Sequence, residues 1–509
     1  MIVIDDVGVD SLGVYPVNPR AHASIATPTI DSLAESGIVF DDAWSNPLCS
    51  PTRATILTGR YAFRTSVWGM VERRSIHRLP IDEVTIPQVL ARLPDLKADS
   101  AAFGKWHLAN CLNGREQHPN LAGFSYFAGQ MYNLEAPYSY FHWPKTVNGA
   151  TAPTTTYSTT DNVNEASAWI QRHGRGGPWF VYLAFNAPHW GPEAIWQVPP
   201  HDLLPAGGRG LPREGTDCGE PCRRKMIEAI DHEIGRLLGE IGQQRSHTTI
   251  ILVADNGTPE AVQPDGSPYP ARHLKSSLLE GGINVPLIIS GPAVAHPGTR
   301  SSALVNTSDL FATVIELMSG QPIEAVRPGA VLDSKSLVPI LEGTSQKIRD
   351  YAFASGLSNH YAIRNTRYKL IRVPAGEQLY DLSTDRHTET NDLLRHGKLD
   401  SLEKANHEEL SRALDDLTAP ARSACPNVAE CTDCCAETPN RPAGCTVKPA
   451  RTPGMQRCLL RDGTSFVCQQ GTIHIRICAC GGTGVDCVDD PPPGTTPAPP
   501  RMSRTLVCR

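Results

Sequence analysis

Four apolar runs constrain the fold of this chain more than any other feature: Ile2-Val3-Ile4, Trp179-Phe180-Val181-Tyr182-Leu183-Ala184-Phe185, Ile250-Ile251-Leu252-Val253-Ala254 and Pro286-Leu287-Ile288-Ile289. They are too short for helices and lack the alternation of a strand with one wet face. Runs of this kind suit strands buried on both sides, as in a mostly parallel sheet covered by helices. Between the second and third runs, Met226, Ile227, Ile230, Ile234, Leu237, Leu238 and Ile241 recur at helical spacing. They predict one apolar stripe on a helix of about five turns. Thr27-Pro28-Thr29-Ile30-Asp31-Ser32-Leu33-Ala34 predicts a shorter helix, with Pro28 in its first turn and Gly37 at its end.

The expected architecture is therefore α/β, with a large, mostly parallel sheet sandwiched by helices over residues 1–325. A chain of 509 residues has room for more than one unit. Over 326–417 the pattern changes to short strand-like segments, Tyr351-Ala352-Phe353-Ala354, Tyr361-Ala362-Ile363-Arg364 and Tyr368-Lys369-Leu370-Ile371-Arg372, which predict a small antiparallel sheet. Residues 418–509 form a third region rich in Cys, Pro and Gly, with a stretch near 489–501 expected to be disordered. Eleven of the 15 cysteines lie after residue 420, a density typical of disulfide-stapled exported modules. Thiolate zinc ligation by Cys431, Cys434, Cys435, Cys478 and Cys480 is the competing expectation for that region. Cys218 and Cys222 are expected to close a small loop.

In a sheet of this type, chemistry gathers beyond the carboxyl ends of the strands. Asp5-Asp6, His189 and Asp255-Asn256 each follow an apolar run. Three carboxylates and an amide brought together would repel unless a cation lay among them, and oxygen ligands favour Ca²⁺ or Mg²⁺ over zinc. Cys49 precedes Ser50 and Pro51, which suit a helix cap and first turn, so residue 49 is expected at a helix N-terminus, where free N–H groups attract anions. Lys105 and His107 alternate within Phe103-Gly104-Lys105-Trp106-His107-Leu108 and would share one side of an extended segment. Lys275 precedes Glu280-Gly281-Gly282. A net charge of −6 with both signs mixed gives no basic field for nucleic acid, and no run reaches the ~18 apolar residues of a membrane span.

Taken together, Asp5-Asp6-Val7-Gly8, Cys49-Ser50-Pro51-Thr52-Arg53 with Thr58-Gly59, Gly104-Lys105-Trp106-His107-Leu108, Ala187-Pro188-His189, Ala254-Asp255-Asn256-Gly257 and Lys275 with Glu280-Gly281-Gly282 resemble, in order, the motifs of the type I sulfatases of the alkaline-phosphatase superfamily. The resemblance covers roughly residues 1–400 and departs at Ala109, where the family often has Gly. It implies an alkaline-phosphatase-like fold and a sulfuric ester hydrolase acting on an aryl or carbohydrate sulfate. It also implies oxidation of Cys49 to formylglycine by a maturation enzyme. By the same resemblance, Asp5, Asp6, Asp255, Asn256 and converted Cys49 would bind a divalent cation, usually calcium. Arg53 would hold the formylglycine, Lys105 would bridge it to the sulfate and His107 would act on its hydroxyl. His189 and Lys275 would grip the sulfate and assist the leaving oxygen.

Two alternatives stand beside this expectation. One is a formylglycine-dependent phosphonate or phosphodiester hydrolase, since a phosphorus oxyanion needs similar charges. The other is a non-catalytic binding protein in which Cys49 remains a thiol. Substrate specificity is expected from 111–165 and 191–222, where Tyr138, Tyr140, Trp143 and Trp190 could either stack on a ring or pack in the core. Cysteine usage points to a periplasmic or secreted protein. The sequence opens on a strand with no export signal ahead of it, so a cytoplasmic location is the rival.

Overall fold

A computed structural model describes residues 1–423, apart from 22–24, 74, 76, 94, 175, 192–194, 206, 208, 328 and 358, together with the strands Met455–Leu459, Thr464–Gln469 and Thr472–Ile477. Residues Met1–Ser411 form one compact unit and Arg412–Arg509 a second. In the first unit the strands are β1 (Ile2–Ile4), β2 (Gly37–Phe40), β3 (Ala43–Trp44), β4 (Asp99–Lys105), β5 (Tyr126–Gln130), β6 (Trp143–Val147), β7 (Ala150–Thr154), β8 (Trp179–Ala184), β9 (Ile250–Ala254), β10 (Leu287–Ser290) and β11 (Thr299–Ser301). All but β3 make a ten-stranded sheet in the order β11-β2-β10-β9-β1-β8-β4-β5-β6-β7. The pairings from β9 through β1, β8 and β4 to β5 are parallel. Every residue of β1 and β9 is buried, as the unbroken apolar runs require.

The helices fall into two packed groups. Pro28–Glu35, Ser158–His173 and Glu220–Glu240 pack together, and Cys49–Thr58 and Ile86–Ala91 pack on Asp309–Ser319. The stripe from Met226 to Leu237 faces the core, giving the long helix expected there. One strand departs from the parallel majority, and one local expectation is corrected. The strand at residues 287–290 runs antiparallel to both its neighbours, β9 and β2. Gly37 does not end the first helix: Ser36 closes it with its N–H on Ser32 O at 3.0 Å, and Gly37 opens β2. Glycine is required there because a Cβ would overlap Ile289 O across the sheet.

β12 (Val305–Asn306) pairs in parallel with β3, and β13 (Ala352–Ser355), β14 (Tyr361–Arg364), β15 (Tyr368–Val373) and β16 (Gly376–Asp381) then form a four-stranded antiparallel sheet. Ala352, Ala354, Ala362, Ile371 and Tyr380 pack with Trp44, Leu278 and Ile283. Charges reinforce this contact. Glu280 accepts from Trp44 Nε1 at 3.1 Å and from Lys369 Nζ at 3.2 Å, while Lys369 also donates to Glu389 at 2.7 Å. Arg364 and Arg386 both pair with Asp42 at 2.7 Å. Glu280 is thus a strut between the sheets and not a companion of Lys275.

In the second unit the strands β17 (Met455–Leu459), β18 (Thr464–Gln469) and β19 (Thr472–Ile477) form an antiparallel sheet. The disulfide and zinc expectations for the cysteines after residue 420, and the disorder expected near 489–501, lie outside the described residues. Cys218 and Cys222 are disulfide-bonded, and Cys49 and Cys111 are free among the described cysteines. No described helix is long and apolar enough to cross a membrane.

Lys369 is fully buried between Glu280 and Glu389. Its replacement in Lys369→Met leaves two buried carboxyls without their shared cation. The expected loss is ~3–5 kcal/mol of unfolding free energy, measured by denaturant titration. A loss under ~1 kcal/mol would show that the strut contributes little.

Candidate active site

The parallel strands deliver the candidate residues to one edge of the sheet. Asp5 and Asp6 follow β1, Asp255 and Asn256 follow β9, Lys105 ends β4 and His189 lies just beyond β8. Cys49 is the first residue of the Cys49–Thr58 helix, and the N-cap is the extended Leu48 and not Ser50. Ser50 Oγ instead accepts from Val71 N at 3.0 Å. Arg53 lies one turn further along and points the same way.

Arg53 is buried and fully engaged. Its Nε and Nη2 donate to Asp255 Oδ2 at 3.0 and 2.8 Å, Nη2 also reaches Asp5 Oδ2 at 3.1 Å, and Nη1 donates to Lys105 O at 2.8 Å. Lys105 Nζ makes a short contact with Asp5 Oδ2. Cys49 Sγ lies 3.4 Å from Asp5 Oδ1. Lys275 Nζ lies 2.5 Å from Asp6 Oδ1, 3.9 Å from Cys49 Sγ and 4.8 Å from the centre of the Trp190 ring. Asn256 Nδ2 donates to Asp6 Oδ1 at 2.7 Å, and Asp6 N donates to Asp255 Oδ1 at 3.3 Å. His189 Nε2 stands 3.9 Å from Asp6 Oδ2, while its Nδ1 bonds Trp190 O at 2.9 Å, which makes Nδ1 the protonated nitrogen of the neutral ring.

His107 corrects the extended-segment expectation. β4 stops at Lys105, and His107 takes the left-handed backbone at φ 61°. It still reaches the cluster, because Trp106 N and His107 N bond Gln130 O and Met131 O at 2.8 and 3.0 Å. Asp6, at φ 57°, is a second left-handed site residue. Such backbone costs ~1–3 kcal/mol per residue and persists where the surroundings enforce it. At the rear of the site, the turns of Asp255-Asn256-Gly257 and Glu280-Gly281-Gly282 touch backbone to backbone, and a Cβ on Gly257 would overlap Gly281 O.

Burial dominates the electrostatics. It pushes the Asp6 carboxyl up to about 7, with Lys275 opposing and Asp5 and Asp255 assisting. For Asp5, burial is outweighed by the charges of Lys105, Arg53 and Lys275 together, which hold its carboxyl well below the usual range. Burial, then Asp255 and Asp5, raises the Cys49 thiol. Burial, then Lys105, lowers both His107 and His189, so both rings are neutral. Asp6 Oδ2, Asn256 Oδ1, His107 Nδ1 and His189 Nε2 are buried without a hydrogen-bond partner among the described residues. Donor atoms of Asp5, Asp6, Cys49 and His189 all lie within 4.8 Å of one another. Orphaned buried oxygens beside paired carboxylates fit a hard divalent cation.

Several contributors were not legible beforehand. Tyr140 and Trp143, offered as ring platforms, are buried: Tyr140 Oη lies 2.7 Å from His189 O, and Trp143 Nε1 donates to Thr156 O at 2.9 Å. Trp190 does stand at the site, with its ring centre 4.2 Å from that of His189. His118 anchors the loop after β4, where Trp106 Nε1 donates to its Nδ1 at 3.1 Å and its Nε2 bonds Leu79 O at 3.0 Å. Indole can only donate, so His118 must be neutral with the proton on Nε2.

A family model described as Sulfatase matches residues 1–320, and one described as N-sulphoglucosamine sulphohydrolase, C-terminal, matches 273–416. The chain is 27% identical to arylsulfatase A of Bos taurus over 425 residues, 76% of each chain. It is 28% identical to N-acetylgalactosamine-6-sulfatase of Homo sapiens over 373 residues, 67% of this chain and 65% of the relative. Among solved structures, that of Ps i-CgsB in complex with k-i-k-neocarrahexaose aligns with a TM-score of 0.66 at 25% identity, covering 81% of this chain and 91% of the other.

Burial lowers His118 from 6.5 to about 4. Above pH 6.5 both folded and unfolded states are neutral here. Between 6.5 and 4 only the unfolded state takes up the proton, so stability falls as pH falls. The expected loss from this group is on the order of 3 kcal/mol across that window. His118→Gln should flatten the slope between pH 6.5 and 4 in denaturant titrations, and an unchanged slope would assign the acid sensitivity elsewhere.

Proposed function

The chain belongs to the type I sulfatase family and is a sulfuric ester hydrolase of the arylsulfatase and carbohydrate-sulfatase type, and from that premise we propose that it cleaves its ester with a formylglycine made from Cys49 beside a divalent cation. One observation carries the proposal. Cys49 is buried with its Sγ 3.4 Å from Asp5 Oδ1, burial and then the charges of Asp255 and Asp5 raise its thiol, and a thiol held protonated is a poor nucleophile. The positive and orphaned polar groups around it nevertheless suit an oxyanion. Oxygen chemistry at position 49 reconciles the two. An aldehyde there supplies, once hydrated, one hydroxyl to attack sulfur and a second whose proton can be withdrawn to release sulfate, which a serine lacks.

Asp5, Asp6, Asp255, Asn256 and converted residue 49 would hold the cation, calcium or magnesium by their oxygen chemistry. When bound, the cation offsets the carboxylate charge and eases ionisation of an oxygen it touches. Arg53 fixes Asp5 and Asp255, so it orders the site. Lys275, braced on Trp190, and Lys105, paired with Asp5, would bind the sulfate oxygens, where fixed positive charge contributes most to such reactions. His189 directs Nε2 inward, and the charge of an incoming sulfate ester favours its protonated form, which can give a proton to the departing alcohol. His107, neutral and with a free Nδ1, suits removal of a proton from the hydroxyl on residue 49.

The substrate class is a sulfated carbohydrate or small aryl sulfate. Maturation would require an enzyme that oxidises Cys49, and the cysteine-rich region fits an exported protein.

The test combines peptide mass analysis over residue 49 with free-sulfate release from p-nitrophenyl sulfate and a panel of sulfated saccharides. The expected result is an aldehyde at position 49, sulfate release abolished in Cys49→Ala, and a loss of ~10²–10³ in kcat for Lys275→Ala. Faster turnover of a phenylphosphonate ester would favour the phosphorus chemistry. An intact thiol with no sulfate release would identify a binding protein. Separately, chelation of divalent cations should abolish activity and calcium should restore it; activity retained after exhaustive chelation would remove the cation from the proposal.

A further inference from the structure

Arg223, on the Glu220–Glu240 helix, lies directly behind Asp6 with none of its surface exposed. Its Nη2 donates to Asp6 O at 2.8 Å and Ser11 Oγ at 3.0 Å, and lies 3.4 Å from Thr258 Oγ1. Those hydroxyls are 3.0 Å apart, and Thr258 Oγ1 donates to the buried Asp10 Oδ1 at 2.7 Å. Thr258 O in turn accepts from Lys275 N at 3.0 Å. Arg223 Nε and Nη1 have no hydrogen-bond partner among the described residues. A buried guanidinium with two idle nitrogens is costly, and such violations of polar satisfaction concentrate at functional sites. The nitrogen that is used grips the peptide of Asp6, a left-handed residue at φ 57°. The same nitrogen bonds Ser11 Oγ and approaches Thr258 Oγ1 on two other segments, which orients that grip.

We infer that Arg223 is a positioning residue that locks the Asp6 backbone, so that the Asp6 carboxylate stays aimed at the cation site, and that it couples this hold to Lys275 through Thr258. The inference rests on the cation site proposed above. Groups that orient metal ligands typically govern metal affinity by ~10–100-fold.

The test is calorimetric titration of calcium into metal-free full-length protein, for wild type, Arg223→Lys and Arg223→Met. Lysine keeps the charge on a shorter side chain, whose ammonium falls short of the position that Nη2 occupies against Asp6 O, and methionine keeps the bulk and removes the charge. Calcium affinity is expected to fall ~10–100-fold in Arg223→Met and by less in Arg223→Lys. Circular dichroism and thermal unfolding monitor the fold, and Arg223→Lys carries the test if Arg223→Met fails to fold. In active enzyme, the concentration of calcium giving half-maximal activity should rise in parallel, with kcat at saturating calcium within about threefold of wild type if only the cation's hold is lost. Wild-type calcium affinity retained in a folded variant would overturn the inference. No calcium binding by wild type would instead overturn the cation proposal itself.

Discussion

The guanidinium of Arg53 is the contact on which the site depends. It joins the end of β1 through Asp5, the end of β9 through Asp255 and the end of β4 through the Lys105 carbonyl, while its own backbone belongs to the helix that presents Cys49. One buried fork thus sets the spacing of three strands and a helix. Its planar geometry suits this, since bidentate pairing fixes direction as well as distance. A lysine there would keep the charge and lose the alignment.

Around this knot the interior tolerates an unusual density of charge. Asp5, Asp6 and Asp255 face Arg53, Lys105 and Lys275, all of them buried except the partly exposed Lys275. Pairing lessens the desolvation penalty without removing it, which is why burial still pushes the Asp6 carboxyl up. A second ionic cluster, Glu280, Lys369 and Glu389, holds the four-stranded sheet against the main one. The first cluster leaves orphaned donors and acceptors for a ligand, and the second holds the backbone at Glu280 through Glu389.

Much of this was legible in the residues. Asp5-Asp6 and Asp255-Asn256 were marked because each follows an apolar run, and sheet topology then brings the ends of adjacent parallel strands together. The Cys49 helix followed from Pro51 in a first turn. Other features escaped because their cause is remote in the chain. Ser50 resembles a cap by type, yet its hydroxyl is claimed by Val71 N. Gly37 resembles a helix stop, yet it is glycine because a strand crosses it closely at Ile289. Tyr140 and Trp143 carry the same aromatic signal as Trp190, and only packing separates the buried pair from the one at the site. Arg223 lies amid helical residues where nothing local distinguishes it from a surface arginine.

The sequence by itself determined the strands of the four apolar runs, the helices at Pro28–Glu35, Cys49–Thr58 and Glu220–Glu240, and which strand ends carry carboxylates, because periodicity and apolar content are local properties. It determined the reaction family too, since spaced motifs survive without knowledge of distance. Only the tertiary structure decided that Arg53 serves two carboxylates at once, that Glu280 is a strut, and that Arg223 stands behind Asp6. Those roles depend on contacts between residues tens to hundreds of positions apart, and on which polar atoms remain unpaired once packing is complete. Burial and pairing are properties of the folded whole, and no local pattern encodes them.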